Sequence, residues 1–251
     1  SGGINPLVTL LKETGGANKY AATVLARLCK DHEATQSAIA KAGAIEPLVK
    51  LLDGKEGMEA QQEAAGALFE LADLGGNRQA ITSADGIPGL VNLLACENPR
   101  AREHAEGALV RLSIEDENRV QIIKKLVDML NNTDTQAQEQ AAAALANLAR
   151  ESEDNRKSIV DSNGIAPLLE ILEAASPKAK ENAVAAIKEL CRNSKNNQFL
   201  IAKSGGIARL VGVLSGFSAN TIKEATLTQL CTLAASAIKE MAKDNRFNQD
   251  A

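Results

Sequence analysis

The 251-residue sequence holds two histidines, His32 and His104, and four cysteines, Cys29, Cys96, Cys191 and Cys231. Metal centres draw such ligands from short regular spacings like Cys-x-x-Cys, and no such spacing occurs here. There is no Gly-rich phosphate loop and no Gly-x-Ser-x-Gly elbow to expose a nucleophile. The carboxylates of Glu151 and Glu153 stand two residues apart beside a loop, where acids offset the positive end of a helix dipole. A protein with this inventory is expected to bind rather than to catalyse, without metal or cofactor.

The residues that must position any binding surface are unusually uniform. Hydrophobic types make up 45% of the chain, yet there is no Trp, one Tyr and four Phe. Ala, Leu, Ile and Val must therefore fill the interior, which favours helices and their close approach. The net charge of −4 lacks the basic footprint of a nucleic-acid binder. The uncharged stretch from Ala225 to Ile238 is too short and too polar for membrane insertion. Each cysteine falls in an apolar helical pattern, so buried free thiols are expected, and with them a reducing compartment: the cytoplasm first, the nucleus second.

A phrase recurs: Ile4-Asn5-Pro6-Leu7-Val8, Ile45-Glu46-Pro47-Leu48-Val49, Gly86-Ile87-Pro88-Gly89-Leu90-Val91, Gly164-Ile165-Ala166-Pro167-Leu168-Leu169 and Gly206-Ile207-Ala208-Arg209-Leu210-Val211. A copy without the turn is Lys125-Leu126-Val127. The marker leucines 7, 48, 90, 126, 168 and 210 are separated by 41, 42, 36, 42 and 42 residues. A short segment opening with Asn-Arg precedes three copies (Asn77-Arg78, Asn118-Arg119, Asn155-Arg156), and Asn197-Gln198 is a weaker version. Asn at a helix start can cap free N–H groups, and the Gly that follows can end that helix in the left-handed region. Pro then suits the first turn of the next helix. Downstream comes an Ala-rich helix, from Ala64 to Leu71, Ala105 to Leu112, Ala141 to Leu148 and Ala183 to Leu190. One short, one medium and one long helix per repeat cannot bury their apolar faces alone, and stacking supplies the partner.

The pattern breaks in three places. The chain starts at the medium helix, and it reads as a piece of a longer protein. The fourth repeat is six residues short and has lost its turn, so Asn118 through Leu130 is expected to form one continuous helix. After Leu210 the last long helix is expected to run on through Ala235 to Ala242, and Asn245-Arg246 could open a further repeat.

Three helices in about 42 residues, with Gly-Ile-x-Pro-Leu-Val followed by Ala-Ala-x-Ala-Leu-x-x-Leu, resemble the armadillo family. The resemblance covers essentially the whole chain. It implies an all-α, right-handed α-solenoid of about six repeats in one domain, spanning approximately 1–30, 31–73, 74–115, 116–151, 152–193 and 194–251. It also implies that the third helices line a concave groove for a protein partner.

In the importin-alpha branch of the family a third-helix Trp and, four residues on, an Asn form the ligand ladders. The matching Trp positions are Thr23, Gly66, Gly107, Ala143, Ala185 and Thr228. The Asn positions are Arg27, Glu70, Arg111, Asn147, Glu189 and Thr232, of which only Asn147 fits. Without Trp the cation–π slots for lysine are absent. Small residues at the ladder floor are expected to leave room for a bulky partner.

Repeat two offers Glu63, Glu70 and Asp73, while repeats three to five offer Arg100, Arg111, Arg150, Lys178 and Arg192. The candidate groove residues are Arg100, His104, Arg111, Gln140, Asn147, Arg150, Asn182, Glu189 and Arg192. They point to an acidic segment or helix with a basic portion near repeat two, bound by a monomer. The other reading of these charges is a solvated face. The function expected is a scaffold or adaptor. The alternatives are the substrate-recognition region of a larger U-box ubiquitin ligase and a nuclear import receptor.

Overall fold

The computed structural model describes residues 2–174, 176–215 and 224–242. Among them there are sixteen helices and no strand. The chain divides into two compact units, residues 1–122 and 123–251.

The first unit opens with a medium and a long helix, α1 (Ile4–Leu10) and α2 (Ala17–Cys29). Two full repeats follow: α3 (Glu33–Lys41), α4 (Ile45–Leu51) and α5 (Met58–Leu71), then α6 (Gly75–Ser83), α7 (Gly86–Leu93) and α8 (Pro99–Leu112). α9 (Asp116–Leu130) is the continuous helix expected where the turn is missing, and residue 122, the end of the first unit, falls within it. The second unit continues with α10 (Thr135–Glu151), α11 (Glu153–Asp161), α12 (Ile165–Ala174) and α13 (Pro177–Cys191). It ends with α14 (Lys195–Lys203), α15 (Gly206–Ser215) and α16 (Glu224–Ala242), the last reaching Ala242 as expected. Thr228 and Cys231 lie outside the residues whose side chains are described, and Asn245-Arg246 lies outside the described residues altogether.

Within each unit the third helices stack on one another, α2 on α5 on α8, and α10 on α13 on α16. Alanine makes this possible, because a methyl side chain lets helix axes come close. Ala64, Ala65, Ala67, Ala105, Ala108, Ala141, Ala142 and Ala183 are all fully buried. Leu68, Leu145 and Ile187 have no exposed surface and Leu109 has 1%, each worth about 1.5–3 kcal/mol of apolar burial.

Two local expectations are corrected by the geometry. The Asn that opens α6, α11 and α14 does not cap N–H groups; it donates backward. Asn77 Nδ2 reaches the carbonyl of Leu71 (3.0 Å), Asn155 that of Leu148 (2.8 Å) and Asn197 that of Leu190 (2.9 Å). The next residue takes a neighbouring carbonyl: Arg78 that of Ala72, Arg156 that of Ala149, and Gln198 that of Cys191. The pair thus closes the carbonyl end of the preceding third helix, where the last turn has no partners of its own. The N–H groups are capped instead by Ser152 and Ser194, and in α3 by His32.

The left-handed residue before each medium helix is Gly43 and Gly205 in two repeats, but Asp85 (φ 61°) and Asn163 (φ 60°) in two others. Asp and Asn are the side chains that tolerate this region best. Gly86 and Gly164, one residue later, serve another need: a Cβ there would come within 2.8 Å of an Ile methyl, that of Ile81 or Ile159.

Among the described cysteines Cys29 and Cys191 are buried and Cys96 is only partly so; all three are free thiols. Burial pushes the Cys29 and Cys191 thiols up to about 12, which keeps them protonated and unreactive.

Candidate functional site

The exposed side of the third helices in the first unit carries a hollow of about 290 Å³. It is lined by Thr23, Ala26 and Arg27 from α2, by Lys30 just past its C-terminal end, by Glu63, Gly66 and Glu70 from α5, and by Arg100 and His104 from α8. Helical spacing explains the grouping. Thr23 and Arg27 follow at i and i+4, and Glu63, Gly66 and Glu70 at i, i+3 and i+7, so each set shares one face. Arg27, Lys30 and Arg100 are exposed and make no ion pair among the described residues.

The floor beside this hollow is filled by the chain itself. His104 Nδ1 lies 3.1 Å from the Gln62 carbonyl, an acceptor, so that nitrogen carries the proton. Its ring covers Gly66, where a Cβ would come within 2.9 Å. It also stacks on Phe69, with centroids 6.5 Å apart and planes 11° from parallel. Phe69 in turn covers Gly107, where a Cβ would sit 2.6 Å from the ring. The glycines at the ladder floor therefore do not leave room for a partner, because side chains 38 residues away occupy it.

Arg111 completes this cluster. Its guanidinium carbon stands 3.4 Å from the Phe69 ring centre, its Nη1 donates to the Phe69 carbonyl at 2.8 Å, and its Nε pairs with Asp73 at 2.6 Å. Asp73 also accepts from Gln36 Nε2 at 3.3 Å. The Glu70 carboxyl nearby is raised above its ordinary value, first by desolvation, with the Arg111 charge opposing and Asp73 adding to the rise. It makes no hydrogen bond or ion pair among the described residues.

In the second unit the candidate residues also tie third helices together. Asn182 Nδ2 donates to the Glu139 carbonyl at 2.8 Å, and Arg192 Nη2 donates to the Arg150 carbonyl at 2.7 Å. Arg150 Nη1 donates to Asn147 Oδ1 at 3.1 Å. Glu189, with a side chain 13% exposed, lies between Arg192 (3.3 Å) and Arg150 (3.9 Å). Gln140 is half-buried on α10 without joining these ties. In the first unit, by contrast, Arg100 projects to solvent and His104 and Arg111 are held as described above.

Sequence spacing alone missed Lys30 and Phe69. Lys30 had a signal, since it falls one turn after Arg27. Phe69 had a subtler one: glycine inside a helix costs about 1 kcal/mol relative to alanine, so Gly66 and Gly107 imply a larger neighbour that needs the space.

The model of the armadillo/beta-catenin-like repeat matches residues 32–73, 118–150 and 152–192. U-box domain-containing protein 12 of Arabidopsis thaliana is 34% identical over 105 residues, which are 41% of this chain and 16% of that protein. The chain thus matches less than a fifth of that relative's length. Among solved structures, an engineered protein is 29% identical with a TM-score of 0.63, covering 96% of this chain and 97% of its own. A designed armadillo repeat protein in complex with the peptide (KR)4 shares the fold at 21% identity and a TM-score of 0.64, covering 95% and 99%.

Proposed function

This chain belongs to the armadillo/beta-catenin-like repeat family, and from that we propose that it is a protein-interaction scaffold: it binds an acidic segment of a partner along its third helices and does so as a monomer, without catalysis. The observation that carries this reading is the trio Arg27, Lys30 and Arg100, exposed around one hollow and unpaired among the described residues. Side chains held by the fold are a ready frame, and exposed cations at its rim select negative partners. A protein of this fold is recorded with a bound peptide, which supports reading the surface as peptide-binding. The basic character of that peptide is not carried over, because Arg27, Lys30 and Arg100 stand exposed and unpaired around this hollow. We read the six repeats as one domain, and in the second unit we assign binding to Gln140, Asn147, Arg150, Asn182, Glu189 and Arg192. The free thiols support a reducing compartment, the cytoplasm.

The test is panning of the full chain against a random peptide library, beside an Arg27→Glu, Arg100→Glu variant whose fold is checked by circular dichroism. Enrichment of acidic sequences by the wild type alone is the expected result. Equal recovery by both proteins, or no acidic enrichment, overturns the reading.

The likeness to a U-box protein favours one further reading, that this is the substrate-recognition part of a ubiquitin ligase. Ubiquitin transfer by the whole gene product, with activating and conjugating enzymes supplied, supports it; no transfer removes it.

A further inference from the structure

Arg78, Arg119 and Arg156 hold the same place, directly after the Asn near the start of α6, α9 and α11. Each is largely buried, and two of the three guanidinium groups meet a carboxylate. Arg78 Nε pairs with Glu115 at 2.9 Å, and Arg119 pairs with Asp116 of its own helix. Arg156 has only 9% of its surface exposed and forms no ion pair among the described residues. Two replacements account for this. Glu115 stands directly before α9, whereas the residue directly before α14 is Ser194, which is neutral and accepts from the Asn197 N–H of its own helix. Glu153, the counterpart of Asp116, is exposed and does not reach Arg156.

Arg156 Nη1 donates to the Ala149 carbonyl at 2.9 Å, and the other N–H groups of the guanidinium have no partner among the described residues. The side chain lines a hollow of about 260 Å³ between α11 and the start of α14. Lys157 lines it too, exposed and without an ion pair among the described residues. The other wall brings Ser194 and Asn196, at the N-terminal end of α14, where the first N–H groups have no acceptor within the helix. Ser194 takes only that of Asn197.

A buried guanidinium without a countercharge has lost hydration and regained little, so an anion that reaches it is held firmly. Three kinds of donor converge here: a planar fork, an ammonium and the positive end of a helix. A carboxylate offers two oxygens in one plane. A phosphoryl group offers three, set tetrahedrally, and so meets donors arriving from different walls. Glu153 and Asp161 also line the hollow, one turn before and one turn after Lys157. These carboxylates disfavour an extended acidic surface, and the hollow selects a compact group.

We propose that this hollow binds one phosphoryl group, as inorganic phosphate or a phosphomonoester, in its dianionic form. Its oxygens take the free N–H groups of Arg156, the Lys157 ammonium and the first N–H groups of α14. Arg192 lines the same hollow and adds its charge, although its own hydrogen bond runs to the Arg150 carbonyl. The site shares no residue with the hollow of the first unit, and it does not depend on the reading of the third helices as a binding surface.

The test titrates the full chain at constant ionic strength, above the second phosphate ionisation at about pH 6. The probes are inorganic phosphate, acetyl-Gly-phosphoserine-Gly-amide and the same peptide without its phosphate, with sodium chloride as the blank. Nuclear magnetic resonance follows the Arg156 Nε–H and the amides of Lys195, Asn196 and Asn197. The expected result is a saturable shift with a phosphate-bearing probe and none with the bare peptide or chloride. Tighter binding of the phosphopeptide identifies a phosphorylated partner as the source, and tighter binding of inorganic phosphate identifies the free ion. Arg156→Gln removes the charge and keeps the backward bond, as Gln198 does at the same place in α14. Lys157→Gln changes an exposed side chain, and it decides alone if Arg156→Gln does not fold. Each should lower the affinity about tenfold, as the loss of one charged contact implies. A response that does not saturate, or one that the variants leave unaltered, overturns the site.

Discussion

Arg111 holds Phe69 twice over, its guanidinium carbon 3.4 Å from the ring centre and its Nη1 2.8 Å from the same residue's carbonyl oxygen. A third tie runs to Asp73. A single side chain thus fastens α8 to α5 through a face, a backbone acceptor and a charge. Lysine can reproduce only the charge, since it lacks the planar fork. Arg111→Lys is expected to lower stability by about 1–2 kcal/mol, measured by urea denaturation. A loss below a few tenths would mean that the contact is ornamental. Arg111 is accordingly a poor place to reverse a charge when testing for a partner.

Gly107→Ala sets two effects against each other. Alanine gains about 1 kcal/mol of helix propensity. The new methyl would meet the Phe69 ring at 2.6 Å, and overpacking costs about 1–3 kcal/mol. Because Arg111 pins the ring, the clash should win and the melting temperature should fall. The double variant Gly107→Ala, Phe69→Ala should recover the propensity gain, and a double-mutant cycle reads the coupling directly.

Asn155→Ala leaves the Leu148 carbonyl without its donor in a buried position. An unsatisfied buried acceptor costs about 1–3 kcal/mol. Asn155→Asp should be worse than alanine, because a carboxylate cannot donate and would face that oxygen. Denaturant midpoints of the two variants decide; the opposite order would mean that Asn155 acts through its carbonyl oxygen.

Glu70 gives stability an unusual pH dependence. Its carboxyl is raised from the ordinary 4.5, chiefly by desolvation, so the folded chain holds this proton more tightly than the unfolded chain. The contribution is therefore fully favourable below the unfolded value and is lost as pH rises through the higher folded value. Glu70→Gln should melt above the wild type near neutral pH, and the difference should close below about pH 4. A constant difference across that range would assign the effect to packing rather than charge.

Much of the fold was legible because it is written in local spacing. The recurrent Ile-x-x-Leu anchor announces each medium helix, and the shortened stretch from Asn118 to Leu130, with no Gly or Pro, announces α9 as one piece. The side chains of the candidate site were less legible, for a physical reason. The ring over Gly107 comes from Phe69, and the imidazole over Gly66 from His104, each from a neighbouring repeat. Such contacts follow from how far one third helix slides along the next, a quantity that no spacing within one repeat records. The asparagines failed differently. Position suggested an acceptor at a helix start, whereas the amide nitrogen turns toward the helix before it.

Those backward bonds bear on how the molecule is made. On the ribosome the chain emerges from its N-terminal end, and a third helix leaves the tunnel with its last carbonyls bare. For α10 the residues that close them, Asn155 and Arg156, follow Leu148 and Ala149 by only seven positions. The long helices α5, α10 and α13 are therefore finished almost as soon as they appear, by the opening of the repeat that comes after. A deletion that ends the chain at Glu151 would keep all of α10 and yet remove its stopper, whereas one that ends after the short helix α11 would keep both. The natural unit for cutting or transplanting is thus offset from the repeat as the sequence phrases it, starting at a medium helix and closing on the next short one.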